Sequence, residues 1–161
     1  FSYWVSEAII KPFVNPALGT VLTTREGMAT AGNDRFLRNW FEIPINEILF
    51  NCNNSVEALQ SGYKWFPYNK GGDYRKWYGN NELVVNWYND GFEIRNNIDL
   101  ETGRIRSHNY NGSFGFREGI TWSSISAGDI SVRYSESGFF FDSPGAQGFC
   151  DDSHKLLFIQ A

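Results

Sequence analysis

The sequence has few of the residues that mark disulfide-stabilised, zinc-binding or histidine-dependent proteins. Its 161 residues include two cysteines, two histidines and one methionine. Cys52 and Cys150 lie far apart, in no C-x-x-C pair and without a histidine at ligand spacing. A disulfide framework and a zinc site are therefore not predicted, and two free thiols are expected.

Long apolar segments and targeting signals are missing as well. No run of about 18 apolar residues occurs, and no basic stretch followed by an apolar core opens the chain. We therefore expect no contact with a membrane and a cytoplasmic location. Because the first residue is Phe1 rather than Met, we expect the chain to be a fragment of a longer protein.

Motifs of common catalytic sites are also absent. The sequence has no phosphate-binding G-x-x-x-x-G-K-[ST] loop, no G-x-G-x-x-G fingerprint and no G-x-S-x-G elbow. The two histidines lie in polar runs typical of a surface, and the carboxylates show no spacing typical of a metal nuclease. An independent nuclease is the least favoured function.

Aromatic residues and glycine are abundant instead. Aromatic side chains make up 17% of the chain, and 16 residues are glycine, a composition that favours strands and tight turns. The length suits one domain with a sizeable core, and no linker divides the chain. We predict a single α+β, strand-rich domain over residues 1–161.

Local patterns predict several elements of this domain. Val5, Ala8 and Ile9 indicate a short amphipathic helix that Pro12 ends, and Asn54 with Gly62 indicates a capped helix. A β-hairpin is predicted from 83–87 and 92–95 around Asn89-Asp90-Gly91. Further strands are predicted at 114–117, 120–123, 130–134 and 138–141.

Positive charge is concentrated in one short segment. The chain carries a net charge of −4, yet residues 63–76 hold four basic side chains against Asp73 alone. These cations alternate with aromatic residues around Gly71 and Gly72. Such a segment suits a phosphate-facing loop, because cations neutralise a nucleic-acid backbone and glycine permits close approach. The alternative is that the aliphatic stems of the cations lie along a protein core.

Longer motifs resemble those of one enzyme family. The runs are A-G-N-D-R-F-L-R-N-W (31–40), K-W-F-P-Y-N-K-G-G (64–72), R-K-W-Y-G-N (75–80), F-R-E-G-I-T-W-S-S-I-S (116–126), S-V-R-Y (131–134) and G-F-F-F-D (138–142). In this order they resemble PglX-type adenine-specific DNA methyltransferases of BREX phage-defence systems, which are similar to type IIG restriction-modification enzymes.

The resemblance implies a role in DNA recognition rather than in catalysis. It covers nearly the whole chain and implies the target-recognition domain that lies C-terminal to the methyltransferase domain. Double-stranded DNA, the parent's methyltransferase domain and other defence subunits are the implied partners. Asn15-Pro16-Ala17-Leu18 departs from the N-P-P-[YF] tetrad that holds a flipped adenine. The fragment is expected to be inactive alone and to hold no cofactor, with S-adenosylmethionine bound by the parent.

Several side chains are candidates for DNA contact. We expect phosphate contacts from the basic segment and base or DNA-orienting contacts from further polar residues. The candidates are Asn33, Arg35, Lys64, Asn69, Lys70, Arg75, Lys76, Ser123 and Arg133.

Most of these side chains also have a structural interpretation. Asn69 could hold its own turn, Arg35 could pair with Asp34, and Ser123, with Ser124 and Ser126, could satisfy a strand end. Arg133 is expected mainly as an exposed cross-strand partner. The neighbouring aromatic residues are expected to pack in the core or against the loop. These are Trp65, Phe66, Trp77 and Tyr78.

A function of another class stays open. The aromatic surplus and the overall negative charge also suit a module that docks on the methyltransferase domain or on other defence subunits without reading DNA.

Overall fold

The computed structural model describes residues 4–125 and 128–160, and this part of the chain forms two four-stranded sheets and five α-helices. The predicted α+β class is confirmed. The helices are α1 (Glu7–Ile10), α2 (Asn33–Phe36), α3 (Ser55–Ser61), α4 (Tyr88–Arg95) and α5 (Ser153–Gln160). The strands are β1 (Thr23–Arg25), β2 (Leu37–Asn39), β3 (Trp65–Asn69), β4 (Leu83–Asn86), β5 (Gly119–Trp122), β6 (Val132–Ser135), β7 (Phe140–Phe141) and β8 (Gln147–Phe149).

The first sheet has the strand order β1-β8-β5-β6, with antiparallel neighbours throughout. One of its faces is apolar and packs against α5, through a cluster of Leu22, Ile120 and Leu156. The second sheet has the order β2-β4-β3-β7, in which β3 and β7 run parallel. Every residue of β3 is buried, so this strand lies at the centre of the fold.

The main hydrophobic core is aromatic and lies against the second sheet. Trp87 and Phe140 have ring centroids 4.3 Å apart, and Phe116 meets Phe140 edge to face at 5.0 Å. Phe66 contacts Phe116 in the same manner at 5.5 Å. Nine aromatic side chains of the described residues are buried and thirteen are exposed, so the core accounts for only part of the aromatic surplus, although each buried ring contributes a large apolar area.

Helix α3 begins and ends as the sequence predicts. The side chain of Asn54 accepts hydrogen bonds from the backbone N–H groups of Val56 (3.1 Å) and Glu57 (3.0 Å), which satisfies two free donors of the first turn. Gly62 ends the helix in the left-handed region, at φ 69°. The chain then enters β3 at Trp65.

The predicted β-hairpin is wrong. Strand β4 forms as expected, but it pairs with β2 and β3, and the segment after it is the helical element α4. Asn89, Asp90 and Gly91 do adopt positive φ, between 51° and 68°. They form a left-handed turn rather than a hairpin turn, in which the N–H of Gly91 donates to the carbonyl of Trp87 at 3.1 Å. A helical turn follows, in which the N–H of Asn96 donates to the carbonyl of Phe92 at 3.0 Å.

Two further expectations need correction, and three strands are confirmed. Residues 114–117 form no strand, because Gly112–Phe114 is a 3-10 helix and Phe116 has φ 69°. Helix α1 forms, but Pro12 does not end the helical run, which continues as the 3-10 helix Lys11–Val14. The predictions of β5, β6 and β7 are confirmed to within two residues.

The other face of the first sheet is polar although it is buried. The strand register aligns Arg25, Gln147, Thr121 and Arg133 in one row across the four strands. Gln147, Thr121 and Arg133 are each at most 3% exposed. We call these three residues, with Ser135 and Asn69, the polar seam, in which Asn69 of the second sheet donates to Ser135 of the first. The expectation of an exposed Arg133 is wrong, since the side chain points into this seam.

None of the helices in the described ranges is long and apolar enough to cross a membrane.

Candidate nucleic-acid interface

The segment that follows β3 forms a glycine-rich loop, Lys70–Asn80, which we call the basic loop. Gly71 and Gly72 adopt φ 83° and 136°, a region that side-chain-bearing residues rarely occupy. A Cβ atom on Gly72 would also lie 3.2 Å from the side chain of Asn80. The two glycines are therefore needed for this loop conformation.

Hydrogen bonds fix the basic loop to the first sheet at two points. The hydroxyl of Ser123, just after β5, accepts from the N–H of Gly72 at 3.1 Å and donates to its carbonyl at 2.9 Å. At the other end, the N–H of Trp77 donates to Val132 at 3.2 Å, and Tyr134 donates to Trp77 at 2.9 Å. The loop is thus held in one conformation before any ligand binds.

Three cations of the basic loop have no carboxylate partner. Within the described ranges, no acidic oxygen lies within ion-pair distance of Lys70, Arg75 or Lys76. Arg75 and Lys76 are exposed, and Lys70 is half-buried. Trp77 and Tyr78 are exposed beside them, whereas Trp65 and Phe66 are core residues as predicted. The loop therefore presents positive charge to solvent, which Asp73 within the loop and the carboxylate of Asp142 near Lys70 compensate only in part.

Lys70 also faces a groove of about 380 Å³. Asn33, Asp34 and Arg38 lie on the same groove, so the structure brings Asn33 and Lys70 to one surface. The side-chain oxygen of Asn33 accepts a hydrogen bond from Thr30 at 2.8 Å. The sequence-based candidates did not include Arg38, which lies on β2, three residues after Arg35 of α2, and donates to the backbone carbonyl of Asp34 at 2.7 Å.

Arg133 lies beneath the basic loop as a buried cation, and no carboxylate of residues 4–125 or 128–160 lies within ion-pair distance of it. It is 1% exposed and donates to the hydroxyls of Ser131 (3.1 Å) and Ser123 (3.4 Å). Its Nε has no hydrogen-bond partner in the described part of the chain, and burial lowers the pKa of the guanidinium below its ordinary value. A buried charge is costly unless it is paired. The guanidinium of Arg133 therefore contacts Ser123, the residue that holds Gly72.

Asn69 is inside the polar seam rather than at the surface. Its side chain is 3% exposed, and its amide nitrogen donates to the hydroxyl of Ser135 at 2.6 Å. The backbone carbonyl of Asn69 accepts a hydrogen bond from the N–H of Asp142 at 2.8 Å. Asn69 therefore supports the start of the basic loop from below.

Two other candidates lie apart from the basic loop. Lys64 is exposed at the opposite end of β3 from Lys70, six residues or about 20 Å along an extended strand. Its ammonium lies 5.4 Å from the ring centroid of Trp65. Arg35 is exposed and pairs with Glu93 at 3.0 Å, not with Asp34. Ser124 is exposed beside Ser123, and Ser126 lies outside the described residues.

A search among curated proteins finds two relatives that align with almost the whole chain. The chain is 49% identical over 162 residues to the adenine-specific methyltransferase PglX of Lacticaseibacillus casei (strain Zhang), an alignment that covers 99% of the chain. It is 40% identical over 158 residues to the adenine-specific methyltransferase BrxX of Escherichia coli O9:H4 (strain HS), covering 96% of the chain. The chain corresponds to one segment of a PglX-type methyltransferase.

The matched segment is a small part of each relative. It spans 13% of the length of PglX and 12% of the length of BrxX. No family model matches the chain. The resemblance inferred from the motifs is thus confirmed for this PglX-type segment, whose residues include the whole basic loop.

The described part of this PglX-type segment has no group of three or more metal-ligating side chains. Asn15, Ala17 and Leu18 stand in an exposed stretch around the 3-10 helix Leu18–Thr20. This stretch has neither the second proline nor the aromatic ring of an adenine-binding tetrad, so its residues do not fit that role.

Proposed function

We propose that the chain is a target-recognition domain, which binds double-stranded DNA for an adenine-specific methyltransferase. The observation that carries the proposal is the basic loop, where Lys70, Arg75 and Lys76 have no carboxylate partner within the described ranges. Unpaired cations on a fixed loop suit phosphate oxygens, since neutralising them releases counterions from DNA. The loop belongs to a segment shared with two adenine-specific methyltransferases.

The polar residues around the loop have different roles in this proposal. Ser123, Asn69 and Arg133 position the loop, because their polar groups are used in hydrogen bonds beneath it. Asn33, on the groove shared with Lys70, approaches the same stretch of DNA. Lys64 and Arg35 contact the duplex at more distant points, and their contributions are smaller because Arg35 already has a carboxylate partner.

The chemistry belongs to the rest of the parent protein in this proposal. The chain spans about one eighth of its relatives, so a methyltransferase domain lies elsewhere in the parent and binds S-adenosylmethionine there. The present segment grips the duplex and presents adenine to that domain. The parent acts in bacterial defence against phage, alongside other defence subunits and in the cytoplasm.

Charge reversal in the full-length methyltransferase tests the proposal. The triple variant Lys70→Glu, Arg75→Glu and Lys76→Glu is compared with the parent protein in DNA-binding titrations at several salt concentrations. We expect at least about a 100-fold loss of affinity and a shallower dependence on salt, because each lost phosphate contact lowers the slope by about 0.9. Lys64→Glu alone is expected to have a smaller effect.

The matched control reverses three side chains elsewhere. Lys11, Arg104 and Arg106 are exposed and have no carboxylate within ion-pair distance in the described ranges. If the basic-loop variant binds and methylates DNA like this control, the DNA-binding role is wrong.

A docking role is the second candidate, and an apolar groove favours it. The groove has a volume of about 300 Å³ and is lined by Trp40, Ile45, Phe50 and Tyr78, all of them exposed. The same DNA-binding titrations distinguish the docking role from the DNA-binding role. A docking module predicts that Ile45→Glu disrupts the parent's assembly or stability, while reversal of the basic loop leaves DNA affinity unchanged.

A further inference from the structure

Two arginines share one aromatic ring at the edge of the first sheet opposite the basic loop. The guanidinium carbon of Arg25, on β1, lies 4.8 Å from the ring centroid of Phe114, and that of Arg117 lies 5.3 Å from it. Arg117 is also 5.6 Å from the ring of Phe149. Contact with the same ring keeps the two like charges close together, and stacking restricts both side chains.

Negative charge only partly compensates this pair. Arg117 contacts Asp151 at 3.4 Å, but the carboxylate side chain is fully exposed, so the ion pair is screened by solvent. The Nη1 group of Arg25 donates to the backbone carbonyl of Thr24 at 2.9 Å. No carboxylate of the described residues lies within ion-pair distance of Arg25. A net positive charge therefore remains.

The two guanidinium groups open onto a groove with a volume of about 450 Å³. We call it the arginine groove. Its other lining residues include Thr20, Thr23, Cys150 and Asp151, the carboxylate that pairs with Arg117. The groove is polar and large enough for a phosphate group, and the planar guanidinium suits bidentate contact with phosphate oxygens.

The strand register relates the arginine groove to the basic loop. Arg25 pairs with Gln147, Gln147 with Thr121, Thr121 with Arg133, and Arg133 with Trp77 of the loop. Four strand spacings of about 4.8 Å therefore separate Arg25 from Trp77, or roughly 19 Å. Successive phosphates of one DNA strand are spaced by about 3.4 Å along the helix axis. Both sites can thus contact one duplex, several base pairs apart.

We propose that the arginine groove is a second phosphate-binding site, which holds the backbone of the duplex bound by the basic loop. This inference rests on the proposed function, because it takes DNA as the ligand. It adds Arg25 and Arg117 to the contact residues, and it gives the domain two points of attachment at opposite edges of the first sheet.

The test removes both charges in the full-length methyltransferase. The variant Arg25→Gln/Arg117→Gln is titrated with double-stranded DNA over a range of salt concentrations, beside Arg104→Gln/Arg106→Gln as a control that also removes two exposed charges. We expect the slope of log affinity against log salt to become shallower by about 1.8, or 0.9 for each lost contact. Arg25→Lys/Arg117→Lys keeps the charges and should keep most of the slope.

A second variant tests the same site by a gain in binding. Asp151→Asn removes the carboxylate that competes with DNA for Arg117, and we expect affinity to rise several-fold at low salt and less at high salt. Glu101→Gln removes an exposed charge elsewhere and should change affinity less. The Asp151→Asn measurement still tests the site if Arg25→Gln/Arg117→Gln does not fold, and a thermal unfolding curve shows whether that variant folds.

The outcomes separate the inference from the proposed function. If the basic-loop variant loses DNA affinity while Arg25→Gln/Arg117→Gln and Asp151→Asn match their controls, the second phosphate site is wrong and the DNA-binding role stands. If the basic-loop variant also matches its control, both proposals are wrong. If inorganic phosphate competes with DNA equally well in the parent protein and in Arg25→Gln/Arg117→Gln, the groove is not a phosphate site.

Discussion

The aromatic core and the polar seam lie at the same centre of the fold but differ in what their side chains contribute. In the core, Phe66, Phe116 and Phe140 bury large apolar areas against one another, which favours folding directly. In the seam, Arg133 and Gln147 are equally buried, and each has a polar atom without a hydrogen-bond partner among the described residues, as Trp87 of the core also has at its Nε1. Such groups cost free energy, so the seam is not explained by stability alone.

The difference indicates a division of labour. The core determines whether the chain folds, whereas the seam supports the basic loop, because Arg133 donates to Ser123 beneath Gly72 and Asn69 donates to Ser135. Buried polar networks can specify one arrangement where apolar contacts would permit several. Variants in the two regions are therefore expected to change different measurements.

The largest effect is expected in the core. Phe140→Ala leaves a cavity between Trp87 and Phe116, and we expect the free energy of unfolding to fall by about 3–5 kcal/mol in denaturant titrations. Phe92→Ala, at an exposed position, serves as the control and should cost less than about 0.5 kcal/mol. A similar result for the two variants would contradict the assignment of Phe140 to the core.

A change in the seam is expected to act on binding rather than on stability. Arg133→Met replaces a buried, uncompensated charge with an apolar chain of similar length, so stability should not fall. DNA affinity of the full-length protein should drop about three- to tenfold, since Ser123 loses a partner beneath Gly72. The salt slope should not change, because no phosphate contact is removed. A shallower slope would mean that Arg133 contacts phosphate itself.

The smallest effect is expected at Asp142, which joins the two regions. Its carboxylate accepts from the hydroxyl of Tyr68 at 2.9 Å, and burial raises the pKa of Asp142 above its ordinary value. A raised pKa means that the folded state loses stability as pH rises through that pKa, because the deprotonated form is disfavoured. Asp142→Asn should therefore raise the melting temperature at neutral pH.

The pH dependence of this gain provides its check. The difference in melting temperature between Asp142→Asn and the unsubstituted protein should shrink as pH falls towards 3.8, the ordinary pKa of aspartate. Glu101→Gln, an exposed substitution, should show no such trend. A melting temperature that falls in Asp142→Asn at neutral pH would contradict the assignment.

Elements with a local cause were predicted well. The Asn54 cap and Gly62 define α3 from neighbouring residues alone, and the alternating pattern of β6 requires only that one face be buried. The β-hairpin failed because the positive φ of Asp90 and Gly91 suits both a hairpin turn and a single left-handed turn that leads into a helix. Non-local pairing of β4 with β2 and β3 decided between them. Strands β1, β2, β3 and β8 were not predicted. Strands β1, β2 and β8 are three residues long and form only against partners, and β3 lies in the segment that we interpreted as a phosphate-facing loop.

The same difference between local and non-local causes applies to the candidate site. The basic segment and its unusual charge were visible in the sequence, but the segment divides at β3, and Lys64 is separated from Lys70 by a buried strand. Arg133 was expected at the surface, because an alternating strand does not show which of its faces is covered. The arginine groove joins Arg25 and Arg117, which are 92 positions apart, so no local pattern could show it.

The sequence by itself determined the α+β class, the methyltransferase family and a concentration of positive charge around Gly71 and Gly72. These follow from composition, motifs and local turn preferences, all of which are properties of neighbouring residues. Only the tertiary structure decided which cations stay unpaired at the surface and which one is buried in the seam. The reason is that burial and ion pairing depend on strands that meet from distant parts of the chain.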